Sequence, residues 1–570
     1  MGSWSSLRLG GAVVLIVRAH AEVTAVSDAH LIELTSDPAF AANYSSSGTG
    51  SFGSAVASLG DVNNDGIDDI AIGARYDSDG NYSAGAVYVL FMRANGTASV
   101  AQKISNSHGG LTAFFNLAGG ARFGSSIAPL GDFDGDGVPD MAVGAYGDND
   151  GAEHAGAIYL ITLTVDGTVG GALKISNEHG GLSSFVTLSA YDYFGESIVA
   201  GYDFNGDGVL DLAVGAFGDD DGEDDDTGRE GNGNGAVHVL FMAADHTVGG
   251  AAKISNEEGN LGYTVDDCFG SALAPLGDLD SNGVPDLAVG SRCSNGAVYI
   301  LFMTNNGTVS TSQKISRTTG GLSSFVSLPT DNWYRFGSSV ANVGDYNNDG
   351  VTDIAVGTTG DDDGYTSAGA CYIVMLTTSG TAAGVQKISN SQGGFPLTIR
   401  QGAYFGKSVA SLGDFNSDGV VDIVVGAYGD AAVYTVFLAA PPTPVPTTSP
   451  LPTPIPTTAS PTSPSPTPSP TTPSPTLLPI PAPTSLSPTS APTSAPVKAP
   501  GDRDDSIGYP LIIILAACAI VVAYVIHALW LRRFHRRAGQ AGTRTSPQSD
   551  SDTAPVITQM VEVSDASKNI

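Results

Sequence analysis

Positive charge is scarce in this 570-residue chain, where 24 Lys and Arg face 58 Asp and Glu and leave a formal net charge of −34. Such a chain repels phosphate, which argues against nucleic acids and anionic membrane surfaces as partners and favours bound cations or a strongly hydrated surface. Cysteine is also rare: four residues are too few for disulfide bonds to stabilise a chain of this length. Glycine is abundant instead, at 73 residues, which indicates many turns.

The two ends of the chain predict a plasma-membrane protein of single-pass type I. Residues 1–21 combine one cation, Arg8, with an apolar run and a small-x-small cleavage sequence, which together predict a secretory signal peptide. Residues 507–531 include an apolar run, Leu511 to Leu531, which is long enough to cross ~30 Å of hydrocarbon as one transmembrane helix. Acidic residues precede this run and four arginines follow it, so residues 532–570 are predicted to be a cytoplasmic tail and the N-terminus to be extracellular.

Residues 441–506 are dominated by Pro, Ser and Thr. Proline at this density removes backbone donors and favours an extended polyproline II conformation. The segment is therefore predicted to be a stalk that holds residues 22–440 away from the membrane.

One acidic motif occurs six times within residues 22–440. The copy at 131–140 reads GDFDGDGVPD, and every copy follows a Phe-Gly pair. The phenylalanines are Phe52, Phe123, Phe194, Phe269, Phe336 and Phe405, which gives a period close to seventy residues. Short apolar runs between glycines predict about four strands per repeat, as in a propeller blade.

The sequence therefore predicts an all-β protein with a β-propeller of six blades. The sixth repeat lacks its last strand, and HLIELTS at 30–36 is a candidate to supply it and so close the ring. A seven-bladed propeller is the alternative, if residues 22–50 contain a degenerate extra blade.

The acidic loops are candidate metal sites. In the second copy Asp132, Asp134, Asp136, Val138 and Asp140 are spaced by two, which directs alternate groups toward one centre that a hard cation can fill. The valine offers its backbone oxygen while its side chain anchors the loop in the core. An EF-hand is excluded because the twelfth loop position holds an aliphatic residue in place of Glu, so the ninth residue, always Asp, must complete the site.

The combination of Phe-Gly, a nine-residue Asp loop and a following Gly-Ala-Val-Tyr strand resembles the FG-GAP repeats of integrin alpha chains over roughly residues 30–440. The resemblance implies up to six Ca²⁺ ions on one face of the propeller and ligand contacts on the opposite face. Carried over position by position, it implies ligands at Asp61, Asn63, Asp65, Ile67 and Asp69; Asp132, Asp134, Asp136, Val138 and Asp140; Asp203, Asn205, Asp207, Val209 and Asp211; Asp278, Asp280, Asn282, Val284 and Asp286; Asp345, Asn347, Asp349, Val351 and Asp353; and Asp414, Asn416, Asp418, Val420 and Asp422.

The chain also departs from that family. The resemblance implies seven blades with sites in only some, Ig-like leg domains and a Gly-Phe-Phe-x-Arg motif below the membrane. This sequence has six acidic loops, a proline-rich stalk and the juxtamembrane sequence RRFHRR. These differences weaken the expectation of an integrin-type beta partner.

Other residues are singled out beyond the acidic loops. Trp333 and Tyr334 precede a Phe-Gly pair on the face expected to bind ligands, where they either contact a ligand or pack against the neighbouring blade.

Cys268 and Cys293 would meet at one end of the fourth blade, where they either form a disulfide or remain free thiols. Asp-x-Asp-Gly turns such as Asp77–Gly80 are expected to be solvated or to attract basic ligands. Sequons for N-glycosylation begin at Asn43, Asn81, Asn95 and Asn306.

These features predict a calcium-binding, single-pass surface glycoprotein, integrin-alpha-like, that acts in adhesion or in recognition of an extracellular protein or glycan. No serine elbow, zinc signature or phosphate loop occurs, so no enzymatic activity is expected. One alternative is a structural cell-coat glycoprotein without a specific ligand. Another is an accessory of a secreted hydrolase, which is weakened because nothing outside the propeller is large enough to be a catalytic domain.

Overall fold

The computed structural model describes residues 6–9, 12–15, 25–34, 40, 50–220, 233–262, 264–265, 268–293, 296–330 and 333–441. The predicted transmembrane helix and cytoplasmic tail lie outside these residues, as does the predicted stalk beyond residue 441. In the described part no helix has the length and apolarity to cross a membrane. The helices found there are the 3-10 turns Leu111–Ala113, Leu182–Ser184 and Leu322–Ser324.

Six antiparallel sheets of four strands each make up the fold, which we call blades 1 to 6. A separate two-stranded hairpin, β1 (Ser6–Leu9) and β2 (Ala12–Leu15), lies within the predicted signal peptide. Blade 1 contains β4 (Phe52–Gly60), β5 (Asp69–Ala74), β6 (Ala86–Met92) and β7 (Ala98–Ile104). Blade 2 contains β8 (Ile127–Gly131), β9 (Asp140–Ala145), β10 (Ala157–Leu163) and β11 (Val169–Ile175). Blade 3 contains β12 (Phe194–Tyr202), β13 (Asp211–Ala216), β14 (Ala236–Met242) and β15 (Val248–Ile254).

The remaining blades repeat this order of strands. Blade 4 contains β16 (Phe269–Gly277), β17 (Asp286–Ser291), β18 (Ala297–Met303) and β19 (Val309–Ser316). Blade 5 contains β20 (Phe336–Asn342), β21 (Ile354–Thr358), β22 (Ala370–Leu376) and β23 (Ala382–Ile388). Blade 6 contains β24 (Ser408–Gly413), β25 (Asp422–Ala427), β26 (Ala432–Leu438) and, as its fourth strand, β3 (Val26–Glu33).

The N-terminal strand β3 closes the ring. It pairs antiparallel with β26, and Ile32 lies opposite Val433 in that register. The first strands of neighbouring blades contact each other around the ring, including those of blades 6 and 1. The six-bladed prediction is therefore confirmed, and the described residues contain no seventh blade. The closing strand spans 26–33, four residues earlier at its start than the segment 30–36 that the sequence indicated.

The hydrophobic core lies between blades. Six clusters of buried aliphatic and aromatic residues each combine side chains from two adjacent sheets. Because both faces of a sheet are covered, a strand such as β6 is buried at every position, including Tyr88. This burial explains why the third strands are continuous apolar runs and do not alternate with polar residues.

Glycines bring the main chains of neighbouring blades into contact near the axis. A Cβ atom on Gly215 of β13 would lie far inside van der Waals distance of the carbonyl oxygen of Gly270, which follows Phe269 in the next blade. That oxygen accepts a hydrogen bond from Ser197 Oγ at 2.7 Å. The same approach occurs at every blade boundary, in the pairs Gly73 and Gly124, Gly144 and Gly195, Gly215 and Gly270, Gly290 and Gly337, Gly357 and Gly406, and Gly426 and Gly53.

Removal of the apolar contact that closes the ring should destabilise the fold. Ile32 is fully buried, whereas its neighbour Leu31 is 37% exposed on the other face of β3. We expect Ile32→Ala to lower the free energy of unfolding by about 2–5 kcal/mol, the usual cost of truncating a buried aliphatic side chain. The matched Leu31→Ala variant should lower it by less than about 1 kcal/mol. Denaturant unfolding followed by circular dichroism checks this, and equal effects of the two variants would contradict closure by β3.

The glycine contact between blades gives a second expectation. Gly215→Ala should lower the free energy of unfolding by at least about 2 kcal/mol, since the added methyl group meets main chain that has no rotamer to change. Gly249 lies in β15 of the same blade, and a Cβ added there meets its neighbours only at ordinary contact distance. Gly249→Ala should therefore change stability by no more than about 0.5 kcal/mol. A tolerated Gly215→Ala variant would show that the blades do not approach this closely.

Candidate metal centres

The six acidic loops connect the first and second strands of the six blades. In every blade the second strand begins at or just after the ninth loop residue, as at Asp69 and Asp140. Since the blades share one strand order, all six loops lie on the same face of the propeller. We call this surface the loop face, and the surface at the other ends of these strands the opposite face.

Each loop is folded around its own carboxylates. In the first loop Asp61 accepts hydrogen bonds from the N–H groups of Asp65 at 2.9 Å and Gly66 at 2.7 Å. Asp65 in turn accepts the N–H of Ile67 at 3.0 Å. The first and fifth residues of the other loops make corresponding bonds, as Asp345 and Asp349 do. The short spacing therefore curls the main chain and gathers the acidic groups on its inner side.

The sixth loop residue is always glycine because of its backbone conformation. Gly66, Gly208 and Gly350 have φ values of 88°, 86° and 87°, in the left-handed region. A Cβ at these positions would meet nothing within 4 Å, so crowding is not the reason. Glycine adopts this conformation without the steric penalty that other residues incur.

The ninth residue links the loop to the rest of the blade. Asp69 is fully buried and accepts the N–H of Val62 at 3.1 Å within the loop and that of Met92 at 2.9 Å at the end of β6. Burial raises the pKa of Asp69 to about 6. Asp140, Asp211, Asp286, Asp353 and Asp422 occupy the same position, are equally buried and also have raised pKa values. Each loop thus places one carboxylate where its ionised form is disfavoured.

The aliphatic residue at the seventh loop position anchors the loop, as the sequence predicted. The side chain of Val138 is buried in the core cluster between blades 1 and 2. Its equivalents are partly buried and pack against five further clusters; they are Ile67, Val209, Val284, Val351 and Val420.

The side chains present fit a hard divalent cation. Carboxylate oxygens of Asp132, Asp134 and Asp136 all lie within 4.8 Å of one another, as do those of Asp278, Asp280 and Asp286. In four other loops the third position is an asparagine, which offers an amide oxygen of the same hardness. Asn63 Oδ1 is buried and accepts no hydrogen bond from the residues that the structure describes. A buried amide oxygen that accepts no hydrogen bond and lies next to acidic side chains is well suited to coordinate a cation.

On the opposite face, the two aromatic candidates differ in exposure. The Trp333 side chain is 73% exposed, and the Arg335 guanidinium stacks on it at 5.5 Å. Tyr334 is buried, and its hydroxyl donates a hydrogen bond to Asp361 at 2.5 Å. Of these two residues, only Trp333 is available to a large ligand.

A disulfide bond joins Cys268 and Cys293, whose Cα atoms are 5.6 Å apart. This bond ties the start of β16 to the turn after β17, both at the opposite face. Among the sequons, Asn81, Asn95 and Asn306 are exposed, and Asn43 lies outside the described residues.

The Asp-x-Asp-Gly turns are internal ion-pair sites, contrary to the expectation that they are solvated. Asp77 is buried and accepts hydrogen bonds from Lys103 Nζ at 2.9 Å and from the Tyr88 hydroxyl at 3.3 Å. Its repeats use the same lysine of the KIS sequence, in the pairs Asp148 with Lys174, Asp219 with Lys253, and Asp361 with Lys387. The recurrence of KIS in step with these turns was a signal for this pairing.

Four charged residues on the opposite face were also missed. Arg75, Glu196, Arg292 and Lys407 converge near the axis, although each comes from a different blade. Comparison of equivalent repeat positions could have found them, because other repeats have serine, threonine or an aromatic residue there.

Known proteins share the repeat. The FG-GAP repeat model matches residues 52–90, 123–161 and 194–240, and the FG-GAP-like repeat model matches residues 278–356. The chain is 35% identical to human integrin alpha-11 over 29% of its length, and 34% identical to integrin alpha-5 of Xenopus laevis over 30%. It is 33% identical to integrin alpha-PS2 of Drosophila melanogaster over 30% of its length.

These matches cover a small part of the relatives, namely 12% of integrin alpha-11 and of integrin alpha-PS2 and 15% of integrin alpha-5. The segments that the two repeat models match fall within blades 1 to 5. The chain therefore contains FG-GAP repeats within a six-bladed β-propeller that is integrin alpha-like.

Proposed function

We propose that this chain is a calcium-binding, single-pass cell-surface glycoprotein that recognises an extracellular protein or glycan, as an adhesion receptor does. The observation that carries the proposal is the set of six equivalent acidic loops on one face of an integrin-alpha-like propeller, which leaves the opposite face for a ligand. The predicted signal peptide, stalk and transmembrane helix support the presentation of this propeller outside the plasma membrane.

Calcium suits the loops better than a smaller ion does. Ca²⁺ takes about 6–8 oxygen ligands in flexible geometry, whereas Mg²⁺ demands a near-ideal octahedron and keeps several waters. In the second loop Asp132, Asp134, Asp136 and Asp140 would hold the ion together with the backbone oxygen of Val138. The bound ion supplies positive charge that offsets the repulsion among these carboxylates.

The positive charge of the bound ion affects the stability of the fold through the aspartate at the ninth loop position. Its buried carboxylate holds N–H groups of both the loop and the third strand, as Asp140 does with Phe133 and Leu163 at 2.8 Å. Ionisation there is disfavoured by burial and favoured by a nearby cation. Calcium should therefore stiffen the connection between the loop and three strands of each blade.

Calcium should raise the melting temperature of the purified protein. A ligand that binds only the folded state adds about 2.7 kcal/mol per site when its concentration is a hundred times Kd. We expect Asp132→Ala to reduce this calcium-dependent gain, since the first loop position is aspartate in all six copies. The matched Asp134→Asn variant should keep the gain, because asparagine occupies that position in four loops.

Differential scanning calorimetry in millimolar Ca²⁺ and in chelator measures these gains. The metal-free melting temperatures of both variants separate loss of binding from loss of folding. Identical wild-type melting temperatures under the two conditions would contradict the calcium proposal.

A recognition function predicts saturable binding to a surface. The protein should bind living cells or a glycan array, and Trp333→Ala should weaken that binding because a rigid exposed aromatic residue is a common anchor. Leu210→Ala is the control, since Leu210 is 48% exposed in an acidic loop on the other face. No saturable binding to any surface would favour the cell-coat alternative.

A further inference from the structure

Two sets of equivalent positions meet near the axis on the opposite face. The residues directly after the Phe-Gly pairs are Ser54, Ser125, Glu196, Ser271, Ser338 and Lys407. The residues directly after the second strands are Arg75, Tyr146, Phe217, Arg292, Thr359 and Tyr428. Each set therefore contains two charged residues among neutral ones.

The four charged residues form one cluster. Glu196 Oε1 lies 2.8 Å from Arg292 Nη1, 3.7 Å from Arg75 Nη1 and 3.7 Å from Lys407 Nζ. The Glu196 side chain is 1% exposed, while those of Arg75, Lys407 and Arg292 are 12%, 11% and 20% exposed. Three cations thus share one carboxylate oxygen in a chain whose overall charge is strongly negative.

This cluster has more positive than negative charge among the described residues. Burial, with the two arginines adding to it, lowers the pKa of Lys407 to about 7. The Nε atom of Arg75 is buried and donates no hydrogen bond within the described part of the chain. Glu196 Oε2 is also buried and accepts no hydrogen bond within the described residues. A second anion would relieve the repulsion among the cations and give Arg75 Nε a partner.

A cavity of about 240 Å³ opens onto these cations. Tyr76, Tyr146, Phe217 and Tyr428 contribute aromatic rings to its wall, and the Arg335 side chain also lines it. Ser338, Thr359 and the Cys268–Cys293 disulfide also line the cavity, which is thus surrounded by rings, cations, small polar residues and one disulfide. The volume is below the ~300–1,000 Å³ of sites for drug-sized ligands, so the group that enters must be small.

The rings and hydroxyls indicate what the small anion is attached to. The Arg75 guanidinium lies over the rings of Tyr76 and Tyr146, 5.0 Å and 5.8 Å from their centres, so the positive charge of the cluster lies against the aromatic wall of the cavity. A guanidinium pairs with a carboxylate through two parallel hydrogen bonds. A pyranose ring supplies a flat apolar face for aromatic rings and hydroxyl groups for the polar side chains.

We propose that this axial pocket binds a carboxylated sugar residue, whose carboxylate pairs with the Arg75, Arg292 and Lys407 cluster and whose ring lies against the tyrosines. The inference rests on the recognition function proposed above, for which it names a ligand class. An acidic side chain of a partner protein carries the same charge without a sugar ring, and the test below separates the two.

Calorimetric titration of the purified full-length chain tests this proposal, with glucuronate as the probe. Glucose is the uncharged match, and N-acetylaspartate amide presents a carboxylate without a sugar ring. We expect glucuronate to bind at one site per chain and the other two compounds to bind at least about tenfold more weakly, the size of effect that one charge-assisted hydrogen bond produces. Equal binding of glucose would overturn anion recognition, and tighter binding of the aspartate compound would overturn the assignment of a sugar.

Substitutions of residues that line the cavity test whether glucuronate binds there. Arg335→Gln and Lys407→Gln should each weaken glucuronate binding about tenfold, because both cationic side chains line the cavity. Glu196→Gln should strengthen it because a competing carboxylate is removed. Arg335 makes no ion pair with Glu196 in the described residues, so its variant remains informative if the cluster variants fail to fold. Arg93→Gln, at the exposed turn after β6 on the loop face, should have no effect.

The outcomes also separate this proposal from the recognition function. If cells or glycans are bound saturably but glucuronate is not bound, or is bound equally by wild type and Arg335→Gln, the pocket assignment is wrong and recognition stands. If glucuronate binds in the pocket but no surface is bound, the pocket stands and the adhesion proposal fails.

Discussion

The approach of main chain to main chain between neighbouring blades is the constraint on which the rest of the structure depends. Close to the axis there is no room for a side chain, so Gly215 meets the carbonyl of Gly270 directly and the same pairing recurs at every boundary. Farther from the axis large side chains fill the space between the sheets, as between blades 3 and 4, where Phe269 packs edge-to-face on Tyr299 of the same blade with ring centres 5.5 Å apart. The alternation of glycine and aromatic residues in the sequence follows from this wedge shape. The wedge shape also determines which strand ends lie close together at each face of the propeller.

The excess of acidic residues is distributed over two environments. On the loop face, carboxylates such as Asp132, Asp134 and Asp136 are grouped and make no ion pair with the residues that the structure describes, which leaves their repulsion for a metal to offset. Within the blades, Asp77 and its equivalents are paired with buried lysines. Blade 4 has no such aspartate at the corresponding turn, and there the Cys268–Cys293 bond ties the same end of the sheet. Among the described residues, four lysines thus lie within blades and three further cations lie near the axis.

Much of the fold could be predicted from the sequence because six copies of one pattern constrain each other. The number of blades, the loops ending in Asp69 and its equivalents, and the N-terminal closing strand all follow from repetition and from the need to leave no open edge. The pairing of Asp77 with Lys103 could not be predicted from hydropathy, since both residues are polar and lie 26 positions apart. The cluster of Arg75, Glu196, Arg292 and Lys407 was missed for a different reason. Each of the four is a charged residue at a position that is neutral in most other repeats, and they come close in space only because the blades form a ring.

The closing strand has a consequence for how the protein is made. Ile32 is synthesised long before its partner Val433, because β3 precedes all six first strands and β26 is the last described strand in chain order. Pairing of such distant segments slows folding because the entropy of closing the loop is lost before the contacts form. Until synthesis reaches β26, β3 has an unpaired edge and blade 6 cannot be completed. Until the ring closes, this unpaired strand edge is a site where the chain is prone to aggregate.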